Sequence, residues 1–527
     1  MKQSKRILRV FCLLLTLALS VGCLMVFTSC SGKNDSGTGT TPPTQGTNGG
    51  TNNDPVKNPD TGDTTEEERY LPAAKDFGEG NNPYEYRMLV TTNSLYQNTY
   101  IYDGEGTPKE ICDYALWCRE KLMLEKYNIE LTINNVGSEG YAQLSNNVTA
   151  GSADFCQVAM LNGTDSISAA VNGYLLNLNS MDEFNLEASY WDQRIQQEYR
   201  INDYLFTLDG DFNYIDDLRT YVVIYNNTAY DSFNYREKYG TPYSLAAEGK
   251  WTYAMMMEMI KDISYEVDGN STMNENDFWG MVSETSVPFY FFLGSGLKFM
   301  TNNSGTLSFD GVDDASIWET NYNTLETLMS MASNPDVLIA NRDLSGDVWT
   351  LASDIFQQNR ALFRTTTLSA TMRLIDMKDN YGIMPIPAYT EGQDGYYCWV
   401  QAGEHRPLTI PRSVADSSKA ALASEYLAYH SRYDGGDSLY YAFYDLLAYA
   451  RLCRTPDDKA MLELVFANKT FDIDAAAKLS GISGKVQNIV SSKNYTTLSS
   501  ELNSIRSSVT QQVQQFTVDV VTKCPNP

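Results

Sequence analysis

The chain is 527 residues long, with a formal net charge of −27, 12% aromatic residues and two histidines, His405 and His430. So acidic a surface repels nucleic acid, and two histidines exclude a histidine-rich metal centre. No long apolar stretch follows the first thirty residues, so the body reads as soluble.

The chain opens with Lys2, Lys5, Arg6 and Arg9, followed by an uncharged apolar run over 10–27. That order reads as a secretory signal, with a retained membrane helix as the alternative. Thr28-Ser29-Cys30 resembles the lipobox of bacterial lipoproteins, which are cut just before the cysteine that carries the lipid. The resemblance implies a signal peptide over 1–29 and lipid attachment at Cys30. Phe27 departs from the smaller aliphatic residue usual there, and Gly22-Cys23 is a rival cut that would leave 24–27 on the mature end. Segment 30–82 is rich in Gly, Thr, Asn, Pro and Asp. It buries too little apolar surface to fold and reads as a tether reaching roughly 40 Å as flexible coil. With no basic patch for anionic lipid, the anchor is the expected membrane contact.

The body from 83 onward, about 445 residues, exceeds one ordinary core and points to two lobes. Residues 86–92 form a short apolar run. Thr107-Pro108-Lys109-Glu110 reads as the start of a helix reaching to 126. On it Ile111, Ala115, Cys118 and Leu122 recur at helical spacing, which turns Cys118 toward the core. Residues 129–136 alternate as a strand, 141–150 read as a helix closed by Gly151, and 155–160 as a strand. Strands alternating with helices imply a mostly parallel sheet, with ligands beyond its carboxyl ends. That points to the loop at 92–96, with Asn93, to the region of Met160, and to Asp154.

Residues 218–225 form a strong β run, and 251–263 read as a helix whose Met255–Met259 stripe is core filler. The aromatic run 289–292 reads as core. Further strands are expected at 361–363 and 381–386. At the end of the chain Leu498, Leu502, Ile505, Val509, Val513, Phe516 and Val520 fall at steps of three or four, a helical stripe that must pack on the body.

Several segments in order resemble the extracellular solute-binding proteins of ABC importers, the branch that includes maltose-binding protein. They are Ser152-Ala153-Asp154-Phe155, the stretch from Leu178 to Trp191-Asp192, 220–227 (TYVVIYNN), Gly249-Lys250-Trp251-Thr252, Ala361-Leu362-Phe363, and 381–387 (YGIMPIP). The resemblance implies a type II periplasmic-binding-protein-like fold, two α/β lobes joined by crossover hinge segments around a cleft that closes on ligand. It places lobe 1 at 83–218 with 367–398 and lobe 2 at 219–366 with 399–527. Crossings are expected near 218–224, 364–368 and 399–409. It also implies a monomeric receptor that hands a sugar or oligosaccharide to ABC permease subunits on the outer face of the cell membrane. The same scaffold can take another solute, such as a peptide or polyol, and a surface carbohydrate-active enzyme is a rival reading. No G-x-S-x-G, H-E-x-x-H or P-loop signature is present, so no catalytic residue is assigned.

A sugar site needs flat apolar rings and fixed polar partners. Tyr214 and Trp399 lie beside expected crossings and read as cleft rings or as ordinary packing. Arg364 offers a fork of donors to hydroxyls or a carboxylate, or a plain salt bridge. Asp154 accepts ligand hydroxyls or fixes a loop. In 266–277 (EVDGNSTMNEND) oxygen donors fall at positions 1, 3, 5, 7, 9 and 12, the calcium-loop spacing. This makes Glu266, Asp268, Asn270 and Asp277 candidate ligands of a structural calcium ion, no other cofactor being expected. Ser271 replaces the turn glycine, and a polar turn is the plainer reading. The body cysteines Cys112, Cys118, Cys156, Cys398, Cys453 and Cys524 show no metal or redox spacing, and the sequence does not pair them.

Overall fold

The computed structural model describes residues 77–91, 99–312 and 314–524. Cys30, Asn93, the signal peptide and nearly all of the tether lie outside them. Among the described residues no helix is long and apolar enough to cross a membrane.

The chain builds two main sheets. The first is all parallel, in the order β2-β1-β3: β1 is Tyr84–Val90, β2 Ile129–Asn135 and β3 Val158–Met160. β4 (Tyr221–Asn226) and β5 (Trp279–Ser283) begin the second. A separate hairpin, β6 (Met300–Asn303) and β7 (Thr306–Phe309), follows them. β8 (Leu338–Ala340), β9 (Ala361–Thr367) and β10 (Tyr381–Met384) complete the second sheet in the order β10-β4-β9-β5-β8. β5 is parallel to β8 and β9, whereas β4 runs antiparallel to β9 and β10. The expectation of a mostly parallel sheet therefore describes the first sheet fully and the second only in part. All of β4, β5, β8, β9 and β10 is buried, which is why these strands read as apolar runs rather than as alternation.

Two short strands lie at the junction. β11 (Cys398–Trp399) pairs in parallel with β12 (Lys469–Thr470), and Val400 bridges Thr220. The chain leaves the first sheet's layer through Leu218–Tyr221. It returns through 400–408, where Leu408 bridges Leu208 and Thr409 bridges Ala159. A crossing at 364–368 does not exist, because Arg364 sits inside β9 and the chain stays with the second sheet through β10. Two of the returning pieces consequently lie opposite to the expectation, while the helices Pro456–Ala467 and Ile482–Ser492 pack with the second sheet and its helices as expected. Strand 381–384 belongs with the second sheet, while Leu408, Ile410 and Ala420–Ala428 join the first sheet's core. An apolar strand looks the same in either sheet, so sequence carries no mark of its partner.

The helix of Ile111–Tyr127 starts later than Thr107 and buries Cys112, Ala115, Leu116, Arg119 and Met123 rather than Cys118, which is half-exposed. Its face is turned by Arg119, whose guanidinium is buried because it donates to the carbonyls of Phe212 and Tyr100 and to Ser431 Oγ. Gly140–Ala150 is helical and closes on Gly151 at φ 69°. Tyr253–Ile260 is capped by Thr252, with Met256 and Met259 fully buried. The terminal stripe forms two helices, Leu498–Arg506 and Val509–Lys523, whose buried residues are Leu498, Leu502, Ile505, Val509, Val513, Phe516 and Val520. The six described cysteines are free thiols.

Candidate functional site

A cavity of about 1030 Å³ opens beside the second sheet. Its floor is the carboxyl end of the three mutually parallel strands: Glu284 follows β5, Asn341 follows β8, and Thr366 and Thr367 end β9. Open α/β sheets hold ligands at this end because helices begin there and leave backbone N–H groups unpaired. Three helices of eight or more residues start at the wall: Val287–Gly294 after Ser286, Val348–Gln357 at Val348 and Trp349, and Ile482–Ser492 after Gly481. The junction supplies Arg219, Trp399, Gln401 and Glu404. Gly481 takes φ 69°, a left-handed turn that suits glycine, and no atom lies within 4 Å of where a Cβ would be.

The polar groups of the wall are set by specific partners. Glu284 is buried and accepts hydrogen bonds from Tyr221 Oη and Thr366 Oγ1, each at 2.9 Å. Burial pushes its carboxyl above the usual range. Arg219 Nη1 lies 2.7 Å from Glu404 Oε2, an ion pair joining the two crossing segments. Arg364 reaches the cavity from β9, and burial brings its guanidinium down to about 10. Trp399 is stacked on Tyr221 at 5.5 Å and meets the edge of Phe289 at 5.4 Å, while Tyr221 stacks on Tyr290 at 4.1 Å. Trp349 is different: it lies in the first turn of its helix, lines the cavity and is 53% exposed.

Of the residues singled out from sequence, the structure brings Arg364 and Trp399 together at this wall. Trp399 is only 6% exposed, so most of the ring is packing and only its margin faces the cavity. Tyr214 is elsewhere. It stacks on Phe443 at 4.8 Å, partly buried between the first layer and the helical segment of Ala442–Leu452. Asp154 is exposed in the turn before β3, and its carbonyl accepts from Arg87. Neither lines the cavity. Asn93 lies outside the described residues. The expectation looked to the first sheet's carboxyl end, whereas this wall is built on the second.

Sequence reading missed Arg219, Glu284, Trp349, Arg373 and Glu404. Arg219 and Glu404 carried a usable signal, since each sits within an expected crossing. Trp349 also carried one, a large aromatic in the first turn of an otherwise amphipathic helix capped by Asp347. Glu284 and Arg373 carried none.

In the loop 266–277, one carboxylate oxygen each from Glu266, Asp268 and Asp277 lie within 4.8 Å of one another, a spread one calcium ion could bridge at about 2.4 Å per bond. The loop also closes on itself. Asp277 accepts from the backbone N–H of Val267 and of Asn274, both at 2.7 Å. Asp268 accepts from Asn270, and Asn270 Oδ1 accepts from Thr272 N at 2.7 Å.

No sequence family model matches the chain, and no curated protein matches it. Solved structures do. An ABC substrate-binding protein from Listeria monocytogenes in complex with cycloalternan superposes with a TM-score of 0.53 at 13% identity, covering 82% of this chain and 99% of that one. A cyclo/maltodextrin-binding protein complexed with maltotetraose gives 0.52 at 11% identity, covering 85% and 100%. An extracellular solute-binding protein from Staphylococcus aureus in complex with maltose gives 0.52 at 12% identity, covering 82% and 98%. At these identities the likeness concerns the fold alone. The chain has the two-lobed α/β architecture of the type II ABC substrate-binding proteins.

Proposed function

We propose that this chain is a lipid-anchored receptor on the outer face of a bacterial membrane that captures a sugar or oligosaccharide and delivers it to ABC permease subunits. The carrying observation is the exposed Trp349 ring beside fixed polar groups at the carboxyl ends of β5, β8 and β9. A pyranose offers an apolar C–H face and hydroxyl edges, so it needs a free ring and rigid donors and acceptors together. Glu284, held by Tyr221 and Thr366, meets the second need, and Gln401 and Asn341 line the same wall. The fold it shares with sugar-bound substrate-binding proteins agrees with this.

The protein binds rather than converts its solute in this reading, and works as a monomer. Its anchor is Cys30, and 30–82 is the tether between membrane and body. Incubating the mature protein with a carbohydrate panel and following its melting temperature tests the reading, because a ligand held by the native state alone raises the midpoint. A rise with unaltered saccharide recovered afterwards supports a receptor. Release of shortened saccharide would make it an enzyme, and no response to any saccharide would remove sugar as the solute.

A further inference from the structure

Arg364 leaves the interior of β9, a strand held between β4 and β5, so the sheet rather than a loop fixes its position. The residue is 4% exposed and lines the cavity, and its Nη1 meets no hydrogen-bond partner. Neither carboxylate of the wall hydrogen-bonds to Arg364. Glu284 has its oxygens on Tyr221 and Thr366, and Glu404 lies against Arg219. Glu284 acts on Arg364 through space more strongly than Asp354 does, and Arg373 opposes both. A buried guanidinium N–H left without an acceptor is unfavourable, so its place at a cavity wall favours an acceptor from outside the chain, best an anion.

The rest of the wall has the same sign. Arg373 and Lys478 line it and are exposed. The beginnings of the helices at Val287, Val348 and Ile482 add positive dipole ends. Burial also pushes Glu284 toward its neutral form. The chain as a whole carries −27, so the cavity reverses the polarity of the protein that surrounds it.

We propose that the solute is an acidic saccharide, a sugar whose carboxylate or phosphate group is received by Arg364 while a ring face lies on Trp349. The planar fork of arginine matches either anion with two parallel hydrogen bonds, which hydroxyl groups alone would not require. This inference rests on the sugar-receptor reading and narrows it.

The test uses matched probes on the mature protein: uronic-acid di- and trisaccharides against their carboxyl-reduced neutral forms, and hexose phosphates against hexoses, by calorimetry and thermal shift. The acidic member of at least one pair is expected to bind tenfold or more tightly, and the pair that responds separates carboxylate from phosphate. Arg364→Met should abolish that preference yet leave the ligand-free melting temperature equal or higher, since a buried cation with an unsatisfied N–H has been replaced by an apolar chain of similar length. Arg364→Lys keeps the charge without the fork and should lose most of the preference. Neutral saccharides binding as well as acidic ones would overturn the inference and leave the sugar receptor standing. Binding of neither overturns both. A ligand-free midpoint that falls sharply in Arg364→Met would make the arginine a structural element and overturn its role here.

Discussion

Lys469 Nζ lies 2.9 Å from Asp217 Oδ1 in the buried junction where β12 meets the end of the first layer. Asp192 Oδ2 is 3.2 Å from the same ammonium, Asp216 is in contact with it, and Arg194 pairs with Asp192 at 2.9 Å. Against its own burial, the ammonium is held well above its ordinary range by Asp216, Asp217 and Asp192. Burial and Asp216 push the Asp217 carboxyl up to about 7. The cluster ties the residues that lead into β4 to those that run beside β11, so it fastens both crossings.

Lys469→Ala strands three buried carboxylates without their shared cation. The expected cost is about 3–5 kcal/mol of stability, read as a lower urea midpoint. A loss below about 1 kcal/mol would show that water or protonation replaces the lysine with ease.

His405 gives the acid side of the stability curve a specific contributor. It is fully buried between Tyr199 and Phe471, and burial brings its imidazole down to about 3. The folded value lies below the unfolded value of about 6.5, so only the unfolded chain takes up the proton as pH falls between them. Stability is therefore full above pH 6.5 and declines toward pH 3, with about 2 kcal/mol lost by pH 5. His405→Gln should show a smaller drop in unfolding free energy between pH 7 and pH 5 than the parent. Equal drops would assign the acid sensitivity to carboxylates instead.

Trp349 and Trp399 should separate under alanine substitution. Trp349→Ala removes an exposed ring, so the melting temperature should hardly move while saccharide affinity falls roughly thirtyfold, about 2 kcal/mol. Trp399→Ala empties a site walled by Tyr221 and Phe289 and should cost about 3–5 kcal/mol of stability besides. The reverse pattern would put the solute on Trp399.

Asp277→Ala should lower the melting temperature in chelator as well as in calcium, because two backbone N–H groups lose their acceptor, at about 1–3 kcal/mol each when buried. A drop confined to calcium buffer would assign Glu266, Asp268 and Asp277 to an ion.

Cys30→Ala should abolish lipid attachment and leave the leader uncleaved, as seen by mass spectrometry of the membrane fraction. Lipid found on Cys23 would move the cut to the rival position.

The helices that pack by one face were legible in the sequence, because period and burial coincide: Leu498 to Val520 is the clearest case, and the Gly151 stop another. Sheet membership was not. Tyr381–Met384 is an apolar strand that either layer could bury, and only its antiparallel register with β4 decides. The site was half legible for a related reason. Arg364 and Trp399 stand beside recognisable strands, whereas Glu284 and Arg373 acquire meaning only when β5, β9 and the following turn converge. Tyr214 shows the converse, a ring close to a crossing in sequence that Phe443 draws to another face.

The free thiols set the conditions under which this body can be made. Burial pushes Cys112, Cys156 and Cys398 up to about 12, far above the range in which a thiol acts as a nucleophile. No covalent cross-link among the described residues has to form before the core closes. Closure of the described core thus does not wait on a disulfide among the six described cysteines. Among the described thiols, an oxidant would find Cys118 first, half-exposed on its helix beside Tyr114.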